Sequence, residues 1–208
     1  MLDKNDSYIY GLLITDGSMY LTTRNRGRVT LEISKKDEDI VMKLNKLIPK
    51  SKIHERVRNT NFKNNSVTKI FSNHQLSFRT KLISQGFPIK DKTINANTPI
   101  DYYDEYSFWR GVIDGDGSLG FIKDGTPFIS LVTKSEKLKD EFLSFIRKEL
   151  GIDKHLNRNK RDNIYNIVIR AENAVKLSKF LYLTDTSTDL YINRKYIKAK
   201  EMQNWKRN

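Results

Sequence analysis

SYIYGLLITDGS at Ser7–Ser18 and SFWRGVIDGDGS at Ser107–Ser118 follow one pattern twice in the chain. Each carries a glycine at its fifth position and closes on Asp-Gly-Ser, so Gly11/Gly111, Asp16/Asp116, Gly17/Gly117 and Ser18/Ser118 recur one hundred residues apart. Self-similarity at a fixed long spacing is the mark of a duplicated unit. The apolar residues ahead of each aspartate predict helices over Tyr8 to Asp16 and Ser107 to Asp116, with Gly17 and Gly117 supplying a left-handed cap conformation.

The segments downstream repeat as well. Met19 to Thr23 and Val29 to Ile33 alternate in polarity around the turn signal Arg26-Gly27, and Leu119 to Lys123 with Phe128 to Val132 do so around Asp124-Gly125. An amphipathic helix follows in each half, on Ile40, Val41, Leu44, Leu47 and Ile48 and on Leu138, Phe142, Phe145 and Ile146. Basic, weakly alternating strands come next, Lys52 to Arg58 with Lys69 to Ser72, and His155 to Lys160 with Ile164 to Arg170. A third helix closes each half, near Leu76 to Gln85 and Asn173 to Leu181. The predicted order is αββαββα, twice, in an α+β chain. Residues 1–86 form the first repeat, 87–103 an aperiodic linker with Pro88 and Pro99, and 104–208 the second repeat. The second repeat ends in a basic helix carrying Arg194, Lys195, Lys198 and Lys200 against Glu201.

Composition narrows the partners. The 208 residues are 38% hydrophobic, enough for a real core, and 38 Lys and Arg against 25 Asp and Glu leave a net charge of +13. That excess selects a polyanion, nucleic acid ahead of an anionic membrane surface. No apolar run approaches the roughly 18 to 20 residues of a bilayer span, and MLDKNDSYIY lacks the layout of a signal peptide. The expectation is a soluble, intracellular protein without a membrane partner. With no cysteine and only three histidines, His54, His74 and His155, disulfides, thiolate zinc sites and a cysteine nucleophile are excluded, and any metal site must be mostly oxygen.

The repeated aspartate is in the wrong place for stability. A helix carries partial negative charge at its C-terminus, where an unpaired carboxylate is disfavoured by a few tenths to about 1 kcal/mol. The same placement in both copies points to a compensating cation. Gly11 and Gly111 each cost about 1 kcal/mol relative to alanine in mid-helix, which close packing of the two helices would explain. Helices packed glycine face to glycine face bring their terminal aspartates together, where like charges repel unless a divalent ion sits between them. Carboxylate and backbone oxygens suit Mg²⁺, and such a site can polarise a scissile phosphate and activate water. A lone copy would read equally well as a buried helix turning sharply into a strand through Asp-Gly-Ser.

These segments resemble the LAGLIDADG motif of homing endonucleases in the single-chain, two-repeat form, and the doubled element order extends the resemblance over nearly the whole chain. Ile9 to Gly17 and Trp109 to Gly117 keep the glycine and the final acid of the motif, while Ile14 stands where the motif carries its earlier acid. The resemblance implies two antiparallel sheets forming a DNA-binding saddle with helices on the opposite face. It implies Mg²⁺-dependent cleavage of double-stranded DNA at a long site by a monomer, in the context of intron or intein mobility, in bacterial or phage-infected cytoplasm or an organelle. Asp16 and Asp116 would hold two or three divalent ions, Mg²⁺ or in substitution Mn²⁺, with the Gly17 and Gly115 carbonyls as further ligands. Lys35 and Lys134, each after a second strand, and Lys92 and Lys195, each after a third helix, would be the basic groups at the scissile phosphates, with Lys90 and Arg194 as alternatives.

A saddle of this kind exposes one strand parity to DNA. Counting from Asp16, the outward set is Ser18, Tyr20, Thr22, Arg24 and Arg26, then Arg28, Thr30 and Glu32, with Met19 and Leu21 inward. His54, Arg56 and Arg58 share a parity on the outer strand. Ser118, Gly120, Ile122, Arg158, Lys160, Arg161 and Arg170 are their counterparts in the second half. Long hydrogen-bonding side chains backed by apolar residues are what a β-ribbon needs in a major groove. Because the halves differ at these positions, the preferred site is expected to be non-palindromic. Two other readings compete: a cleavage-deficient DNA-binding regulator or intron RNA maturase of the same fold, and a basic structural or ribosome-associated protein.

Overall fold

Two aspartates start the repeated helices. Asp3 accepts a hydrogen bond from the Asp6 amide and Asp104 one from the Ser107 amide, both at 2.8 Å, satisfying N–H groups that a helix start leaves free. In the computed structural model, which describes residues 1–59, 65–154, 156, 158, 159, 161–184 and 187–207, these caps launch α1 (Lys4–Asp16) and α5 (Glu105–Gly115). Ser7 through Ile14 and Ser107 through Asp114 are buried without interruption. A helix with no solvated face belongs in the interior, and α1 and α5 pack on each other at the centre of the molecule.

They cross at the repeated glycines. A Cβ on Gly11 would lie 2.2 Å from the Phe108 carbonyl oxygen, and one on Gly111 would lie 2.3 Å from that of Tyr8. Backbone touches backbone there, which only glycine permits. The left-handed cap expected at Gly17 and Gly117 does not form. Gly17 is extended (φ −78°, ψ 164°), and Gly117 is not among the glycines with positive φ. The chain runs from helix directly into β1 (Gly17–Leu21) and β5 (Gly117–Phe121). Glycine is required for room: a Cβ at either position would come within 2.6 Å of the backbone four residues earlier, at Leu13 or Ile113.

Two separate antiparallel sheets follow. The first combines β1 with β2 (Gly27–Ser34), β3 (Ser51–Arg58) and β4 (Ser66–Asn73) in the order β1-β2-β4-β3; the second orders β5, β6 (Pro127–Thr133) and β7 (Tyr165–Arg170) in sequence. The first hairpin turns on Arg24 and Asn25, at φ 58° and 56°, and not on Arg26-Gly27; Gly27 pairs with Leu21 in the ladder. Asp124-Gly125 does form the second turn, with Gly125 at φ 83°. The expected strand over 155–160 is not formed among the described residues, where Asn159 and Ile164 make an isolated bridge; His155, Asn157 and Lys160 lie outside them. Among the described residues the second repeat runs αββαβα, followed by the C-terminal helix.

Helices cover the inward face of each sheet. Val29, Leu31, Ile33 and Phe71 pack with Ile40, Val41 and Leu44 of α2 (Glu38–Leu47), and Ile129, Leu131, Ile167 and Ile169 with Phe142 and Ile146 of α6 (Glu136–Leu150) and Leu177 of α7 (Ala171–Tyr182). Leu21 and Leu47, expected inside, are 36% and 43% exposed at the margins. α3 (Leu76–Ser84) closes the first repeat.

The linker is not a loose tether. It contains α4 (Lys92–Asn95) and is strapped to the second repeat: Ser135 Oγ donates to the Ala96 carbonyl (2.6 Å) and the Thr98 amide to Glu141 (2.9 Å). Reciprocally, α8 (Asn193–Met202) docks its N-terminus on the first repeat. Arg194 forks onto Asp37 (2.5 and 2.9 Å), the Asn193 amide donates to Asp39 (2.8 Å), and Lys43 Nζ donates to the Tyr191 carbonyl (2.9 Å). Among the described residues no helix is long and apolar enough to cross a membrane.

Candidate functional site

Crossing at Gly11 and Gly111 brings the C-terminal ends of α1 and α5 together. A Cβ on Gly115 would lie 1.9 Å from Thr15 Oγ1 and 3.4 Å from Asp16 Oδ2, so the Asp16 carboxylate rests against the last turn of α5, beside Asp116. Both carboxylates keep a solvent-exposed face. Neither has a hydrogen-bond or ion-pair partner among the described residues. Enclosure by protein pushes the Asp16 carboxyl up to about 6, helped by the like charge of Asp116 and opposed by Lys92 and Lys195. Enclosure also raises Asp116, against the same two lysines.

Those lysines close the helix ends. Lys92 Nζ donates to the carbonyls of Leu13 (3.4 Å) and Thr15, and Lys195 Nζ to those of Ile113 (2.6 Å), Asp114 (2.7 Å) and Gly117 (2.8 Å). The last carbonyls of a helix lack partners within it and carry the negative end of its dipole. Each ammonium therefore supplies part of the compensation that the sequence required for an acid in that position. Burial lowers the pKa of both lysines, while the nearby aspartates raise it.

The two lysines that follow second strands diverge. Lys134 lines a cavity of about 310 Å³ with Thr15, Lys92 and Asp116. Lys35 instead pairs with Glu55 at 3.5 Å, as does Lys69 at 3.1 Å. Of the alternatives, Lys90 is exposed and Arg194 is held by Asp37. Among the described residues no three His, Cys, Asp or Glu side chains gather as a metal site. A cation at the helix ends would be held by two carboxylates and backbone oxygens, with the Gly17 and Gly115 carbonyls on the chain beside each acid. Two unpartnered carboxylates with raised pKa are a hard-oxygen donor set that fits Mg²⁺.

The motif letters did not disclose the role of Asp114. It is 2% exposed and accepts from Tyr8 Oη (2.7 Å), Tyr182 Oη (2.7 Å) and the Ile192 amide (2.9 Å). Burial raises its pKa, while Lys195 and these three donors act to lower it. The carboxylate thus joins α5 to α1, to α7 and to the chain entering α8, which carries Lys195. The one signal in sequence was the mismatch with Ile14: an acid in an otherwise apolar buried helix must find donors.

The outward parity of the first sheet is as expected. Ser18 faces Thr30 across the strands (2.6 Å between hydroxyls), Tyr20 is 61% exposed opposite Arg28, and Thr22, Arg24 and Arg26 are exposed at the hairpin tip. A groove of about 750 Å³ runs from Asp16 across Ser18, Arg28 and Glu32 to His54 and Arg56, so the acid centre and the outward face are continuous. Lys52, Ser72 and His74 also line it; carrying the same parity along β3 and β4 would have found them. Arg56 and Arg58 pair with Glu32 at 3.2 and 3.4 Å. In the second repeat Ser118 and Arg170 are exposed, while Gly120 and Ile122 are half-buried. Arg158 donates to the Lys134 carbonyl at 3.2 Å, Arg161 projects into solvent beside Asp162, and Lys160 lies outside the described residues.

Comparison with known proteins agrees with this architecture. The LAGLIDADG-like domain family matches residues 105–199, and the WhiA LAGLIDADG-like domain family matches residues 5–75. Reverse gyrase of Thermococcus kodakarensis is 23% identical over 184 residues, 87% of this chain, which spans 10% of the length of that relative. The homing endonuclease I-WcaI bound to its DNA recognition sequence superposes with a TM-score of 0.60 at 15% identity, over 94% of this chain and 85% of that one. The meganuclease I-SmaMI bound to uncleaveable DNA gives 0.53 at 11% identity, over 94% and 87%. Full-length DUF199/WhiA from Thermatoga maritima gives 0.51 at 10%, over 94% and 58%. These likenesses in structure concern the fold. A LAGLIDADG-like domain model thus matches the second half of the chain and a WhiA LAGLIDADG-like domain model the first, and the chain has the fold of the homing endonucleases.

Proposed function

We propose that this protein is a Mg²⁺-dependent endonuclease that cuts double-stranded DNA at a long, non-palindromic site, acting as a monomer. The observation that carries the reading is the pair of unpartnered carboxylates, Asp16 and Asp116, meeting at glycine-packed helix ends beside a groove that continues onto a basic sheet face. Asp16 and Asp116, with the Gly17 and Gly115 carbonyls, would hold the cation; when bound, it supplies Lewis acidity at the scissile phosphate. Lys92 and Lys195 offset the mutual repulsion of the acids and the negative ends of both helices. Lys134, facing the same cavity as Asp116, is a phosphate contact. The outward residues of the first sheet read bases or phosphates, and the excess of positive charge draws the duplex on.

The test is incubation with plasmid libraries carrying random inserts, first in Mg²⁺ and then in Ca²⁺. Discrete double-strand cuts in Mg²⁺, lost in Asp16→Asn and in Asp116→Asn with binding in Ca²⁺ intact, are the expected result. Tight binding without cuts in Mg²⁺ would overturn the nuclease reading and leave a binding protein of the same fold.

A further inference from the structure

The two sheet faces are chemically unequal in a way that specifies what each can read. At positions one hundred residues apart, Tyr20, Thr22, Arg28 and Glu32 of the first face are replaced by Gly120, Ile122, Phe128 and Val132 of the second. The ladder extends the comparison: Ser72 stands beside Thr30 where Val168 stands beside Ser130. Ile122, Phe128 and Val168 are partly exposed and Val132 is 37% exposed, while Ile129, Leu131, Ile167 and Ile169 on the opposite parity are buried in the core. The outward surface of the second sheet is thus largely apolar, with Ser130 between Phe128 and Val132 on the central strand and Ser118, Asn166 and Arg170 around it.

We infer that the second sheet recognises a thymine-rich half-site by contact with thymine C5-methyl groups, while the first sheet reads its half-site through hydrogen bonds. The inference rests on the DNA-binding reading above. In the major groove a G·C pair offers only hydrogen-bonding groups, whereas an A·T pair also presents the thymine methyl. An apolar face set against G·C leaves desolvated donors and acceptors unpaired, which disfavours it. Against A·T it buries a methyl on Ile122, Phe128, Val132 or Val168. Asn166 aligns with Val132 in the ladder and is the side-chain type suited to the adenine edge of the same pair. The first face, with Arg28, Glu32, His54 and Arg56 around its groove, has the donors and acceptors that G·C pairs require.

The wild-type protein would be used in Ca²⁺ to select duplexes from a randomised pool, so that binding is read independently of cleavage. Because the chain has no cysteine, Lys123→Cys at the β5–β6 tip takes a single tethered iron chelate, whose strand scission identifies the half-site under the second sheet. Thymines in either half are then replaced by deoxyuridine, which removes only the methyl. Affinity is expected to fall about fourfold per contacted methyl in the second half-site and to hold in the first. Ile122→Ser combined with Val132→Ser, which removes the side-chain methyls at two partly exposed positions, should shrink the response of the second half-site alone. A G·C-rich second half-site, an equal uridine response in both halves, or a response unchanged by the double substitution would overturn the inference. Recovery of no duplex at all would instead overturn the DNA-binding reading and the inference with it.

Discussion

Gly11→Ala tests the geometry on which the acid pair depends. The added methyl would sit 2.2 Å from the Phe108 carbonyl oxygen and 3.1 Å from the Val112 amide nitrogen. Both are backbone atoms of α5, so no side-chain rotation relieves the contact. Restoring ordinary contact requires the helices to part by about 1 Å. Overpacking of this sort costs about 1–3 kcal/mol, and the better helix propensity of alanine returns about 1 kcal/mol, for a net loss of up to ~2 kcal/mol. Function should suffer more than stability, because Asp16 and Asp116 sit at the ends of the two displaced rods. A misplacement of about 1 Å at a reacting centre costs on the order of 100-fold in rate. The assay pairs urea denaturation with the Mg²⁺ cleavage rate and Ca²⁺ binding of Gly11→Ala. Wild-type stability together with a wild-type cleavage rate in Gly11→Ala would refute the close crossing and the convergence built on it.

Other outcomes follow from the same coordinates. In the absence of metal, Asp16 binds its proton more tightly folded, at about 6, than at the ordinary 3.8; its contribution to stability is complete below the lower value and is lost as pH rises through the higher. Urea midpoints in chelator should therefore fall between these pH values with a slope that Asp16→Asn reduces, and an identical slope in the variant would contradict the assignment. Asp37→Asn loosens the fork to Arg194 and the docking of α8 on the first repeat; since Arg194 is 48% exposed, the expected cost is about 1 kcal/mol by denaturation, and no cost would mean that the strap does not hold α8. Asp114→Asn replaces an acceptor for three buried donors with a group that is itself partly a donor, and should lower stability by about 1–3 kcal/mol; a wild-type melting temperature would refute the network. Duplex affinity should weaken about a thousandfold between 50 and 200 mM salt if at least six phosphates are neutralised, and a flat salt dependence would exclude that footprint.

What could be read without coordinates was local or repetitive. The duplication, the buried helices, the hairpins and the outward parity of Ser18, Tyr20, Arg28 and Thr30 all follow from periodicities a few residues long and one spacing of a hundred. So did the reason for Gly11 and Gly111, since a glycine in mid-helix needs close packing to justify it. The turn was displaced by two residues because Arg24 and Asn25 adopt positive φ, a conformation Asn favours and Arg only tolerates, so no glycine marked it. Gly17 and Gly117 were recognised as obligatory for the wrong reason: the constraint is space against Leu13 and Ile113, not backbone sign.

Tertiary structure alone decided how the acid centre is supported. Lys195 meets the end of α5 across some eighty residues of chain, Arg194 meets Asp37 across 157, and Tyr8 meets Asp114 across 106. Contacts at such separations leave no periodic trace, because they depend on where whole elements come to rest and not on the pitch of any one of them. The repeat therefore named the two aspartates and the family resemblance nominated Lys92 and Lys195, while only the packing of the linker and of α8 separated these two lysines from Lys35, Lys90 and Arg194 and set their Nζ groups on the carbonyls of the helix ends.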